Sequence, residues 1–366
     1  MFRSILFVIA AAALASSQTS TPQNHPPLRV GIVGLVHGHV HGFLQQNRHN
    51  PEIEIVGVAE PDRELLASAG SKYNFAPSIL FTDLEEMLTK AHTQAVLVYT
   101  NTFDHRRVVE ICARHGVQVM MEKPLAVSLD DARAIEHAAH AANIHVLVNY
   151  ETSWYPSNHA VYDLVNENAL GEVRKVVVHD GHRGPKEIGV QPEFLAWLTD
   201  PKLNGGGALF DFGCYGADLM TWLMHGERPE SVTAVTQQIK PQIYSRVDDE
   251  ATVILTYPKA QAIIQASWNW PFDRKDMEVY GATGSAITVR RDDVRVRREK
   301  EDQEHTMAAR PVPAPYDNSI SYFRAVVLDG AKEDDLSSLE TNATVTEILD
   351  AARRSAHEGK TIRLQH

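Results

Sequence analysis

From Leu28 to Asn149, short apolar runs alternate with stretches whose apolar residues recur at helical spacing. The runs LRVGIVGL, IEIVGVAE, AVLVYT, VQVMMEK and HVLVNY are rich in Val, Ile, Leu and Met without strict alternation. That pattern suits strands covered on both faces. Between them DRELLASAGSKY, LEEMLTKA, HRRVVEICARHG and LDDARAIEHAAHAAN read as helices. The last opens on Ser128, with Asp130 and Asp131 placed to complement the helix dipole. The alternation predicts a doubly wound parallel sheet over residues 28–149.

After Tyr150 the pattern changes. A helix, SNHAVYDLVNENAL, ends at Gly171 and is followed by longer strands: EVRKVVVHDGH, SVTAVTQQI, DEATVILTY, AQAIIQASWNW, DMEVYGAT, SAITVRR and DVRVRRE. On the fourth of these, Trp268 and Trp270 alternate with Asn269, so only one face of that strand is expected to meet a cleft. A further helix is expected after Gly205-Gly206-Gly207, and two more at NSISYFRAVVLDGA and NATVTEILDAARRSAHEG. Residues 150–366 are therefore read as an α+β domain with a mostly antiparallel open sheet, and the chain as α/β overall.

The start of the chain has another character. MFRS, the apolar ILFVIAAAALA and the small-x-small Ala13-Leu14-Ala15 read as a signal peptide over 1–17, followed by a polar linker over 18–27. The apolar run is shorter than the roughly 20 residues a membrane-spanning helix needs. An exported, periplasmic or secreted protein is expected. Its two cysteines, Cys112 and Cys214, fall in different patterns and are read as separate buried thiols. With 35 Lys+Arg against 47 Asp+Glu, the net charge of −12 disfavours nucleic acid and anionic membrane as partners.

The candidate chemistry gathers at the carboxyl ends of the first strands, where parallel sheets bind ligands. The first strand–helix turn reads Gly31-Ile32-Val33-Gly34-Leu35-Val36-His37-Gly38-His39. A dinucleotide fingerprint, G-x-G-x-x-G, begins at Gly34, but Val36 and His39 hold the other two places and Gly38 is displaced by one. The second strand ends in Glu60, where a carboxylate can accept ribose hydroxyls and repel a 2′-phosphate, favouring NAD over NADP. Thr100-Asn101 and Glu122-Lys123-Pro124 end two further strands on the same edge. The cofactor-binding set is thus Gly34, Val36, His37, Gly38, Glu60, Thr100, Asn101 and Glu122. His37, His39 and His41 carry no carboxylate or Cys at ligand spacing nearby, so no metal is assigned.

From Leu28 onward the chain resembles the Gfo/Idh/MocA oxidoreductase family, whose named members include glucose–fructose oxidoreductase and inositol dehydrogenase. The resemblance rests on VMMEKPLAVSLDDARAI (119–135), GGGALFDFGCYGADL (205–219) and TNTFDH (100–105). It implies a Rossmann domain followed by a substrate domain, with Lys123 as acid/base. It also implies that Asp211 orients substrate hydroxyls, and that position 215, Tyr here where the family often has His, relays the proton. Tyr150, Trp154, Tyr155, His182 and Arg183 are the candidate substrate-binding residues. A homodimer or homotetramer is a further expectation of the resemblance.

The leading reading is an exported NAD-dependent oxidoreductase acting on a sugar, polyol or related hydroxylated small molecule. Two others use the same scaffold: an NAD-dependent glycoside hydrolase working by transient oxidation and elimination, and a non-catalytic sugar- or nucleotide-binding protein. Free NAD is scarce outside the cytoplasm, so an exported enzyme of this kind is expected to retain and reuse its cofactor.

Overall fold

The first half forms six strands: the five apolar runs become β1 (Leu28–Val33), β2 (Ile53–Ala59), β4 (Ala95–Val98), β5 (Gln118–Glu122) and β6 (Val146–Asn149), and a two-residue strand that the pattern does not mark, β3 (Leu80–Phe81), joins them. The computed structural model describes residues 26–333 and 335–364. The segment read as a signal peptide, and all of the linker before Pro26, lie outside the described residues. The strands are all parallel, in the order β3-β2-β1-β4-β5-β6. Strand order reverses at β1, between β2 and β4, which opens a crevice beyond the carboxyl ends of β1 and β4.

The second sheet has nine strands: β7 (Val173–Gly181), β8 (Ser231–Gln237), β9 (Glu250–Thr256), β10 (Gln261–Ser267), β11 (Arg274–Gly281), β12 (Gly284–Thr288), β13 (Asp293–Arg298), β14 (His305–Ala308) and β15 (Ile362–Arg363). Their order is β14-β13-β12-β11-β7-β10-β9-β8-β15, and only the β7–β10 pair is parallel. The fold is the α/β class expected, a parallel sheet joined to a mostly antiparallel one.

The long helix Leu339–Glu358 ties the two sheets together. It packs on β8 and the helix Gly213–Leu223 of the second sheet, and on the helix Leu129–Ala142 and β6 of the first. The segment before it covers the open edge of β6, where the Val148 N–H donates to the Ser337 carbonyl at 3.0 Å. That contact removes an exposed strand edge. Beside it the buried Tyr150 hydroxyl donates to Asn342 Oδ1 at 3.0 Å. The Asn342 amide donates in turn to the carbonyls of Leu336 and Ser338.

Several elements depart from the sequence pattern. Strand β10 stops at Ser267, so Trp268 and Trp270 lie in the loop beyond it rather than alternating on a strand. The helix after the glycines is broken at Phe212 into Ala208–Asp211 and Gly213–Leu223. Asp211 and Tyr215 thus sit on two helices that meet at a bend. The helix after Tyr155 ends at Asn166, and the segment from Ser319 widens into a π-helical turn over Ala325–Asp329. Both cysteines are free and buried.

Replacing Tyr150 with Phe leaves the buried Asn342 oxygen without its donor. A destabilisation of about 1–3 kcal/mol is expected. Urea unfolding would show it as a lower midpoint at unchanged slope.

Candidate active site

The crevice beyond β1 and β4 holds a cavity of about 490 Å³ lined by Gly34, Val36, Glu60, Asp83, Thr100, Asn101, Asp104 and Arg107, among others. Gly34 has φ +83, and a Cβ there would lie 2.7 Å from the Thr100 nitrogen. Only glycine fits on both counts. Glu60 is buried at the end of β2, taking the Leu35 N–H at 2.7 Å and the Asp62 N–H at 2.9 Å. Burial raises its pKa against those two hydrogen bonds. Asn101 accepts from the Asp104 N–H and donates to the Asp104 carboxylate, while the Thr100 hydroxyl donates to the Asn101 carbonyl. Three carboxylates, Glu60, Asp83 and Asp104, face one guanidinium, Arg107, around this cavity.

The turn that departs from the glycine pattern is held by the second half of the chain. The Trp197 indole, on the helix Pro192–Leu198, donates to the Val36 carbonyl at 3.1 Å. His37 is buried against Phe194 and Trp197, with ring centroids 4.7 and 5.5 Å away. Burial holds its pKa well below the ordinary imidazole value, so the ring is neutral. The His37 ring thus makes a contact between the two halves that a glycine could not make. A Cβ on Gly38 would lie 2.7 Å from Gln191 Oε1 and 2.8 Å from the Phe194 ring, so the second half of the chain packs closely over that position. Among the described residues, the Val36 and Gly38 N–H groups have no acceptor.

His37, His39 and Glu122 bring one ligand atom each within 4.8 Å of one another. A carboxylate therefore does approach the histidines, from β5, a neighbour that linear spacing does not reveal. It is already engaged: His39 Nδ1 lies within hydrogen-bond distance of Glu122 Oε2, at 3.1 Å, and His37 Nδ1 accepts the His39 N–H. Burial acts to raise the Glu122 pKa, but His39, His37 and Lys123 pull it down to about 2. His41 instead meets the Tyr73 hydroxyl.

Lys123 follows β5 and is 6% exposed, and its ammonium donates to Asp211 Oδ1 at 2.5 Å and to the Asp211 carbonyl at 2.9 Å. The second Asp211 oxygen accepts the Trp268 indole N–H at 2.9 Å. Burial acts to lower the Lys123 pKa, and the Asp211 charge more than reverses it, leaving a raised value. Burial acts to raise Asp211, and Lys123 brings it down to about 2. The pair is ionised and locked.

Both residues line a second cavity of about 310 Å³, together with Gly38, His39, His182, Phe212, Tyr215 and Lys275. Tyr215 packs edge-on against Tyr150, and its hydroxyl has no hydrogen-bond partner among the described residues. His182 Nδ1 accepts the Gly184 N–H at 2.9 Å, so the neutral ring carries its proton on Nε2. Burial lowers its pKa and favours that neutral form. The turn 34–39 contributes to both cavities and connects them.

Four of the expected substrate contacts stand off this cavity. Tyr150 is fully buried behind Tyr215. Trp154 packs on Tyr322 and donates to Asn149. The Tyr155 hydroxyl donates to Glu151, and its ring lies under the Arg291 guanidinium. Arg183 is exposed, at a bend beyond the end of β7. Sequence reasoning missed Lys275, which arrives from β11, and the role of Trp268 in holding Asp211. Neither carries a local motif. The only sequence signal was a lysine on the inward-facing register of a strand whose next inward residues are Met277 and Val279.

The depressed Asp211 pKa fixes a pH dependence. Asp211 contributes stability that is complete above its ordinary value of 3.8 and is lost as pH falls toward about 2. Asp211→Asn is expected to destabilise the protein at pH 7 by about 3–5 kcal/mol by leaving a buried ammonium unpaired. The gap between the two proteins closes as pH falls through that window, which urea melts at several pH values would read.

Known proteins share this fold. Residues 28–150 match the model of the oxidoreductase family with an NAD-binding Rossmann fold, GFO/IDH/MocA, and residues 158–287 match that family's C-terminal domain. The chain is 26% identical over 312 residues to a trans-1,2-dihydrobenzene-1,2-diol dehydrogenase of Xenopus tropicalis, covering 82% of this chain and 88% of that one. It is 24% identical to a D-apiose dehydrogenase of Paraburkholderia graminis, covering 97% of this chain and 94% of that one. Its fold is similar to that of an aldose-aldose oxidoreductase from Caulobacter crescentus solved with glycerol, at TM-score 0.78 and 22% identity, covering 92% of this chain and 100% of the other. An inositol dehydrogenase homologue from Azotobacter vinelandii, solved with NAD+, superposes at TM-score 0.80 with 17% identity, covering 93% and 98% of the two chains. With both family models matched over most of its length, the chain belongs to the GFO/IDH/MocA family of NAD-dependent oxidoreductases.

Proposed function

We propose that this protein is an exported oxidoreductase that oxidises a hydroxyl group of a sugar or polyol, or reduces the matching carbonyl, with Lys123 exchanging the proton. The observation that carries this reading is the buried Lys123–Asp211 pair, opening onto a small cavity that the dinucleotide turn also lines.

The residues fit an NAD molecule. Gly34 is a position where a side chain has no room, two N–H groups of the turn have no acceptor among the described residues, and the acidic rim around Glu60 disfavours a 2′-phosphate. When bound, the nicotinamide supplies the hydride acceptor or donor. The protein's part is the proton and the orientation.

In the carbonyl-reducing direction the Lys123 ammonium is already the acid required, and Asp211 aims it. The Tyr215 hydroxyl and the Nε2–H of His182 stand on the same walls, placed to hold the substrate oxygen and its neighbours. In the oxidising direction Lys123 must first lose its proton. Positive charge brought close to the ammonium favours that loss, by the same Coulombic logic with which Asp211 opposes it. The Trp268 hydrogen bond leaves Asp211 fixed while Lys123 changes state.

The likeness to a diol dehydrogenase and an apiose dehydrogenase supports a vicinal hydroxyl substrate. Export rests on the leader pattern alone. Mass spectrometry of protein secreted or released from the periplasm tests it, with a mature N-terminus near residue 17 expected and an intact Met1 contradicting it.

Lys123→Met is expected to lower kcat/KM for NAD reduction by sugars or polyols by about 10²–10⁴-fold, with binding of NAD retained. Unchanged turnover would remove Lys123 from the chemistry. Glu60→Ala is expected to weaken NAD by about tenfold and to narrow its advantage over NADP. Paired fluorescence titrations with the two reduced cofactors measure both effects.

A further inference from the structure

The cavity beside Lys123 has a second charged group on its wall that the chemistry above leaves unused. Lys275 lies on β11, with its side chain toward the cavity and its ammonium 4.9 Å from the centre of the Tyr215 ring. The Lys123 ammonium lies 5.1 Å from the same ring, so Tyr215 is flanked by two cations. Each has its own carboxylate: Asp211 for Lys123, and Glu151 for Lys275. The cavity therefore carries two polar poles and no uncompensated charge.

The surroundings of Lys275 point to a ligand. Its register partner on β7 is Asp180, and residues opposite one another on adjacent strands share a face. Asp180 is 1% exposed, and among the described residues neither of its carboxyl oxygens has a hydrogen-bond partner. Burial raises its pKa well above the ordinary value, against the pull of Lys275. Among the described residues the Lys275 ammonium is hydrogen-bonded to Glu151, and with three N–H groups it keeps donors for a ligand in the cavity it lines.

Taking the cavity as the substrate site, we propose that Lys275 is a specificity-determining residue that binds hydroxyls at the far end of the substrate. The site then selects a neutral ring with hydroxyl groups at two ends, an aldopyranose or a cyclitol, over a simple vicinal diol. A diol reaches the Lys123 pole alone. A carboxylated or phosphorylated sugar meets two ammonium groups that are already neutralised, and pays a desolvation penalty for its own charge. The volume of about 310 Å³ lies at the small end for ligand sites, which fits a single ring.

The test compares D-glucose and myo-inositol with trans-cyclohexane-1,2-diol and D-glucuronate, using the full mature chain loaded with NAD. For wild type, kcat/KM for the better of the two neutral rings is expected to exceed that for the diol and for glucuronate by about 100-fold. In Lys275→Met that advantage over the diol is expected to fall by about tenfold or more, through KM, and Lys275→Arg is expected to restore part of it. A preference unchanged in Lys275→Met, or a diol affected as strongly as the rings, would overturn the proposal. Calorimetric binding of the same four compounds gives a readout independent of turnover. If nothing is oxidised but the rings still bind more tightly than the diol through Lys275, the redox reading fails and this one stands. Equal binding by wild type and Lys275→Met sinks it whatever the chemistry.

Discussion

Everything else at this site depends on one buried ion pair. A lysine and an aspartate, both shielded from water, are costly to hold apart and only modestly favourable together. Here the cost is offset by completeness. One Asp211 oxygen takes the Lys123 ammonium, the other takes the Trp268 indole, and the Asp211 carbonyl accepts the remaining lysine contact. The three residues come from the end of β5, from the bend between two helices and from the loop after β10. The pair therefore fixes the second sheet against the carboxyl edge of the first, where a dinucleotide turn and a substrate cavity must share a wall.

That constraint explains the unusual turn. A glycine at 37 would let the cofactor approach, but it would offer no ring to Phe194 and Trp197. His37 supplies that contact, while position 34, where a Cβ collides with backbone, remains glycine. The loss of the standard spacing is thus an exchange, in which freedom at the turn gives way to packing between the two halves. The same packing places His39 on Glu122 and leaves His37 neutral.

Five strands of the parallel sheet were legible because each is an apolar run bounded by turn residues, whereas the edge strand β3 has only two residues and leaves no such run. Lys123 and Asp211 were legible because each sits in a local motif, Glu-Lys-Pro and the glycine-led helix. What the sequence could not show was contact between distant segments. Glu122 reaches the histidines from β5, Trp268 reaches Asp211 from a loop that the apolar pattern extended as strand, and Lys275 reaches Tyr215 from β11. Aromatic residues just after β6 looked exposed to a cleft because they follow the last parallel strand, yet Tyr150 and Trp154 spend their polar atoms on Asn342 and Asn149. Pairing across a sheet is set by register, and register is not written in either strand alone.

Asp211 holds Lys123 as an ammonium, and in the function proposed above the bound cofactor controls the protonation of that lysine. The most direct measurement is a titration of the Lys123 side-chain nitrogen by NMR, assigned through Lys123→Arg, in the cofactor-free protein and in the NAD+-loaded one. A pKa above the ordinary lysine value is expected without cofactor, with a marked fall when NAD+ is bound. A lysine that titrates identically in the two states, or one already at its ordinary value in the free protein, would contradict it.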